Sequence, residues 1–163
     1  MAVTTQYSTE YNQAYVAKTG NLDTHELSGR VRCAYFTCNQ TGAGDATSSF
    51  ALAKLPAGKV RLLASQSKAY VNWTTASAKL DLGWDAYTDI DGTAVVADPN
   101  GIDDGIDVDA AGFQTFGTVA AVLATGGTKV FESKEGVVIR ATSQDTAIVA
   151  DDDLVGCLFY VVD

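Results

Sequence analysis

The stretch KLDLGWDAYTDIDGTAVVADPNGIDDGIDVD, Lys79–Asp109, decides how the rest of the chain is read. Leu80, Leu82 and Trp84 fall on one face of its opening segment, and Lys79, Asp81 and Asp85 fall on the other. A repeat of two is the pattern of a half-buried strand. Beyond it, Asp89, Asp91, Asp98, Asp103, Asp104, Asp107 and Asp109 arrive with Gly92, Pro99, Gly101 and Gly105. Turn formers at that density predict a long acidic loop carried on a buried strand.

Working outward, other runs repeat the strand pattern. Arg30–Cys38 (RVRCAYFTC) places Val31, Cys33 and Tyr35 on one face. Ser49–Leu55 and Val60–Val71 are joined through Leu55-Pro56-Ala57-Gly58-Lys59, where Pro presets φ and Gly accepts a positive φ. Phe113–Phe116, Lys129–Phe131, Gly136–Thr142 and Ala147–Ala150 read as further strands, while Thr118–Ala124 fits either a strand or a helical turn. Leu154–Val162 (LVGCLFYVV) is apolar on both faces, which predicts a strand central in a sheet and covered on both sides, or one buried at a subunit contact. Eight or nine strands at this spacing, with turns between them, give an all-β fold of the β-sandwich or jelly-roll kind. Its domain spans 30–163. Residues 1–29 form an irregular segment or an extended N-terminal arm, in which Tyr7, Tyr11 and Tyr15 recur every fourth position.

The length of 163 residues suits one domain, and a hydrophobic fraction of 47% can fill a core. Twenty acidic against eleven basic residues leave a net charge of −9. Nucleic-acid binding needs clustered cations, and an anionic membrane surface repels such a chain, so neither partner is expected. The opening MAVTTQYSTEYNQAYV has no basic and no apolar region, so no secretory leader is expected. Three cysteines, Cys33, Cys38 and Cys157, then read as free and buried thiols. Cys33 and Cys38 would lie on opposite faces of one strand and about 16 Å apart at the strand rise, too far for a bridge.

Catalytic constellations are missing from the inventory. The single histidine, His25, sits in the polar first segment and reads as a solvated side chain, whereas nucleophilic catalysis needs a histidine held rigidly beside its nucleophile. No Cys/His spacing suits zinc. Asp98, Asn100, Asp103, Asp104 and Asp107 offer oxygen ligands for Ca²⁺, but the EF-hand order fails at Ile102 and Asp103; turn chemistry accounts for the same residues. No cofactor and no enzymatic activity are expected.

Four stretches carry a family resemblance: SSFALAKLPAGKVRLLASQS (48–67), KLDLGWDAYTDIDGTAVVADPNGIDDGIDVDAAG (79–112), GGTKVFESKEGVVIRAT (126–142) and GCLFYVVD (156–163). Together they resemble tailed-bacteriophage structural proteins of the head-decoration, or capsid-cement, kind. The resemblance implies a jelly-roll-like β-sandwich that binds the outside of the head and holds neighbouring major capsid proteins together. It implies synthesis in the bacterial cytoplasm, a place on the capsid surface, and a homo-oligomer, a homotrimer in preference to a homodimer. Subunit and capsid contacts would then use Trp84 and the apolar terminal strand (Leu158, Phe159, Tyr160), with Tyr7, Tyr11 and Tyr15 reaching a neighbour. Two other readings stay open. One is a carbohydrate- or host-surface-binding module built on Trp73, Tyr70 and Tyr87 beside a Ca²⁺-bound acidic loop; the other is a tail or fibre component.

Overall fold

The computed structural model describes residues 30–42, 44–73 and 75–163, so Tyr7, Tyr11 and Tyr15 lie outside the described residues. In chain order the strands are β1 (Arg32–Asn39), β2 (Ser49–Leu55), β3 (Gly58–Leu62), β4 (Lys68–Val71), β5 (Lys79–Trp84), β6 (Tyr87–Thr88), β7 (Ala94–Val95) and β8 (Asp98–Asp107), followed by β9 (Gly112–Thr115), β10 (Lys129–Ser133), β11 (Val137–Gln144) and β12 (Asp153–Val162). A 3₁₀ turn at Ala64–Gln66 separates β3 from β4, and one helical turn, α1 (Ala120–Leu123), separates β9 from β10.

The pairings nest. β1 pairs antiparallel with β12, β2 with β11, β3 with β10, β4 with β9, and β5 with β8. The chain is therefore one long antiparallel ribbon folded over itself. β12 inserts between β1 and the β3–β4 line, and β11 inserts between β2 and β5. That closes two sheets, β1-β12-(β3, β4)-(β10, β9) and β2-β11-β5-β8, in the arrangement of a jelly roll. The terminal strand is thus central, as its two-sided apolar sequence requires, with β1 along one edge and β3 and β4 along the other.

Between the sheets, alternate side chains form one core. Leu52, Leu55, Val60, Leu62, Val71, Leu80, Leu82, Ile139, Leu154 and Leu158 are all buried there with Trp73, Phe116 and Phe131. The expected single strand Val60–Val71 is broken in the middle, and one side chain repairs the break. Ser67 Oγ donates to the Leu63 carbonyl at 2.9 Å and accepts the Phe159 N–H at 2.9 Å, so β12 keeps its ladder on the side where neither β3 nor β4 reaches it. A hydroxyl with both roles satisfied can be buried without the penalty of an orphaned donor.

The acidic stretch departs furthest from its expected form. Asp98–Asp107 is a ten-residue strand, not a loop, and pairs with β5 through two register shifts, between Leu80 and Leu82 and between Leu82 and Trp84. Gly105, at φ +71°, takes a conformation that L side chains avoid, which lets a strand rich in turn formers continue through a bulge. Only the intervening β6–β7 hairpin is a turn, closed by Asp89, whose Oδ1 accepts the N–H groups of Asp91 (3.0 Å) and Thr93 (2.7 Å). The run Ala147–Ala150, expected as a strand, contributes one isolated bridge between Ile148 and Gly44.

Candidate docking surface

Alternation in β1 sends Phe36 into the core and turns the Cys33–Tyr35–Thr37 face to solvent. β12 does the same: Leu154 and Leu158 point inward, while Val155, Cys157 and Phe159 line the outside. The register then aligns outward side chains across the sheet. Val155 lies opposite Tyr70, and Tyr70 opposite Phe113. One row over, Tyr35 lies opposite Cys157, and Cys157 opposite Lys68. The outcome is an apolar face whose tallest members are almost bare: Tyr35 is 84% exposed and Phe113 78%. Tyr70 and Phe113 meet edge to face with ring centroids 5.3 Å apart, and a groove of about 250 Å³ runs between Tyr35, Tyr70, Phe113, Val155 and Cys157.

Charge sets this face apart more sharply than hydrophobicity does. β1, β4, β9 and β12 together hold one carboxylate, Asp153, in a chain that has twenty. Asp153 sits at the rim and is already engaged, accepting from Asn39 Nδ2 at 2.6 Å and Asn72 Nδ2 at 3.2 Å. Burial and the neighbouring Cys33 push the Cys157 thiol above its ordinary range. The cysteines are half-buried, less enclosed than expected, with Cys38 alone packed against the core.

Several expected contact residues belong to the core instead. Trp84 is buried, its ring stacked against the backbone of Gly101, where an added Cβ would come within 2.3 Å of the indole. Phe131 meets Trp84 edge to face at 5.4 Å, and Lys129 Nζ sits 4.3 Å above the ring. Leu158 is fully buried, because its parity along β12 is inward. Tyr160 is half-buried and packs against the core. Phe159 is the one expected residue from this strand that lies on the outer face, opposite Cys33. Of the residues that make the face, Tyr35, Phe113 and Val155 were not singled out as contacts by the sequence, and Tyr70 was named only for the carbohydrate- or host-surface-binding alternative. The signal for them is the inward parity of Phe36 in RCAYFTC, which forces Tyr35 outward.

The five candidate cation ligands are dispersed by the strand they occupy. Asp103 turns into the interior, where its Oδ2 accepts the Gly117 N–H at 2.6 Å and its Oδ1 accepts the Thr118 N–H at 2.6 Å and the Thr118 hydroxyl. Asp104 is exposed and accepts from Gln144 Nε2 at 3.5 Å; Asp107 accepts the Asp109 N–H at 3.3 Å. Asp98 lies opposite Trp84, and Asn100 is exposed. Among the described residues no group of three His, Cys, Asp or Glu side chains is placed to hold a metal ion. The aromatic platform imagined beside the acidic stretch is not assembled either: Trp73 is buried, Tyr70 stands on β4, and Tyr87 on the β6–β7 hairpin. A polar cleft of about 280 Å³ beside that hairpin is lined by Lys54, Tyr87, Thr88 and Glu135. Among the described residues no helix is long and apolar enough to cross a membrane.

The sequence matches no protein-family model, and no curated protein sequence matches it. Among solved structures, a chain in the capsid asymmetric unit of cyanophage Pam1 is similar, with a TM-score of 0.50 at 15% identity, covering 84% of this chain and 88% of that one. A chain from the VP2 subviral particle of infectious bursal disease virus is similar with a TM-score of 0.50 at 10% identity, covering 83% of this chain and 33% of that one. This chain thus spans about a third of the length of the VP2 chain it resembles. At these identities the likeness is one of fold: an all-β sandwich of the jelly-roll kind found in viral capsids.

Proposed function

We propose that this chain is a non-catalytic structural component of a tailed-phage virion, a decoration protein that binds the outer surface of the head as a homo-oligomer, a trimer in preference to a dimer. The observation that carries this reading is the aromatic face across β1, β12, β4 and β9 of an otherwise acidic jelly roll, where the one carboxylate, Asp153, lies at the rim and is held by Asn39 and Asn72. Apolar surface left open to water costs about 25 cal/mol per Å², and contiguous patches of this kind are rare on proteins that work alone. A protein of net charge −9 meets a large partner with least repulsion through a face that brings a single carboxylate, at its rim. The major capsid protein is the partner assigned to that face. The likeness to a chain of a phage capsid asymmetric unit and the sequence resemblance to head-decoration proteins support the assignment.

Decoration stabilises by mass action, because a protein that binds only the assembled lattice shifts the equilibrium towards it. Many copies make the total large even where each contact is modest. The test is a double substitution, Tyr35→Asp with Phe113→Asp, mixed with decoration-free heads and pelleted. Both side chains are mostly solvent-exposed, so the fold and the denaturation midpoint stay unchanged, while head binding falls at least about 100-fold through two desolvated charges. Binding equal to the unmodified chain would dismiss the proposal. Copy number in purified particles separates it from a tail or fibre role, since decoration scales with the lattice and tail parts are few.

A further inference from the structure

Cys33 and Cys157 are brought together by the same register that builds the docking face. Cys33 lies opposite Phe159 and Tyr35 opposite Cys157, so the two thiols are diagonal neighbours on the outer side of adjacent strands, both half-buried and both free. The Cys33 thiol is among the causes that raise Cys157, after burial. Two thiols separated by most of the chain, on the first and last strands, share one spot at the edge of the groove beside Tyr35. Cys38 is not part of the pair; its parity along β1 is opposite, and it packs against the core.

We propose that Cys33 and Cys157 are a modification site, a dithiol that a small-molecule disulfide such as oxidised glutathione converts to an intramolecular bridge between the first and last strands of the sandwich. One thiol loses its proton and attacks a sulfur of the small disulfide; a protein mixed disulfide forms and one small thiolate leaves. The second protein thiolate attacks the protein sulfur of that mixed bond and expels the other small thiolate. The protein loses two electrons and two protons, and the small disulfide gains both as two thiols. A reducing cytoplasm keeps the pair open, and an oxidising exterior closes it. Diagonal neighbours lie about 7–8 Å apart between Cα atoms, just beyond the span of a relaxed disulfide, so the two strands must draw together slightly for the bridge to close, and it reopens readily with added thiol. It would tie β1, the edge strand of the docking sheet, to β12.

The experiment uses the full chain with Cys38→Ala, which leaves two cysteines. The reduced protein is incubated with oxidised glutathione at mildly alkaline pH, alkylated and measured by intact-mass and peptide mass spectrometry. The expected product is a monomer lighter by two hydrogen atoms, with a Cys33–Cys157 linked peptide and no alkylated thiol. The same background with Cys157→Ser or Cys33→Ser is expected to carry a single glutathione adduct instead. Two stable glutathione adducts on the two-cysteine chain, a disulfide-linked dimer as the main product, or two thiols still fully alkylated would each overturn the proposal. The outcome is independent of head binding, which the Tyr35 and Phe113 substitutions test separately.

Discussion

The outer faces of the two sheets answer the same solvent with different chemistry. On β2-β11-β5-β8, outward positions carry Lys79, Asp81, Arg140 and Gln144, and their polar groups find one another. Asp85 and Arg140 form a bidentate pair, Nε–Oδ1 and Nη2–Oδ2 both at 2.6 Å, with Nη1 donating to Ser49 Oγ at 3.1 Å. On β1-β12-β4-β9 the equivalent positions carry Tyr35, Val155, Cys157, Tyr70 and Phe113, with Lys68 among them and Asp153 at the rim. Both sheets give their inner-face side chains to the one core, so folding does not require the difference. A face that folding leaves free and composition leaves apolar is the one a partner is expected to cover.

The contrast between the inner and outer sides of β12 gives the largest predicted effect. Leu158→Ala empties a fully buried position between the sheets and is expected to cost about 3 kcal/mol, from the lost transfer energy and the cavity. Tyr35→Ser, on the outer side of the neighbouring strand, is expected to change stability by less than about 0.5 kcal/mol. Urea denaturation of both variants checks the pair. Comparable losses would mean that Tyr35 is held by the fold and is not a free surface group.

Most of the fold was legible because its strands obey alternation. Ser49–Leu55 and Leu154–Val162 have the apolar spacing of the elements observed, and the two-sided apolarity of the terminal strand anticipated its central place. What alternation could not show was which neighbour each strand would find, because nested pairing joins residues as distant as Arg32 and Tyr160. The acidic strand β8 hid behind local turn chemistry: Asp-Gly and Asn-Gly dipeptides favour turns in isolation, yet here β5 supplies a ladder and bulges absorb the misfit. The outer apolar face was not anticipated for a related reason. Trp84, Leu158 and Tyr160 were weighed as contacts because the resemblance implies subunit contacts and the terminal strand is apolar on both faces, although their parity places them inside. Tyr35 and Phe113 stand outside because Phe36 and the core already fill the inner side.

Asp103 sharpens the comparison from within. It is a carboxylate on the polar sheet that crosses the sandwich to hold the segment after β9 on the apolar sheet. Gly117, whose N–H it accepts, stands at φ +82° against Ala64 and Ser65, where an added Cβ would come within 2.9 Å of Ala64. Asp103→Asn keeps the size but turns an amide donor toward backbone N–H groups, leaving at least one of them unpaired. The expected cost is about 2 kcal/mol. The readout is faster hydrogen exchange at Gly117 and Thr118. If those amides keep their protection, the clamp is not what holds the segment.

The smallest effects come from pH on the polar face, where two carboxylates shift in opposite directions. Hydrogen bonding to Arg140 holds Asp85 below the usual carboxylate range, against a smaller opposing effect of burial. Its stabilisation is therefore present above the unfolded-state pKa and is lost as pH falls through the lower folded value. With both side chains about a third exposed, Arg140→Ala is expected to cost less than about 1 kcal/mol at pH 7. Asp81 behaves the other way. Burial, reinforced by Asp104 and Asp145, raises it despite the Gly105 N–H that it accepts at 2.8 Å. The folded state then binds the proton more tightly than the unfolded one, so stability falls as pH rises between the unfolded and the folded pKa. Asp81→Asn keeps an oxygen for Gly105 and removes the charge. It is expected to gain up to about 1 kcal/mol at pH 7 and nothing below the ordinary carboxylate range. Denaturation of Arg140→Ala and Asp81→Asn at pH 7 and pH 3 should therefore show a loss and a gain that both shrink towards acid. A gain in Asp81→Asn that persists at pH 3 would trace its effect to packing and not to charge.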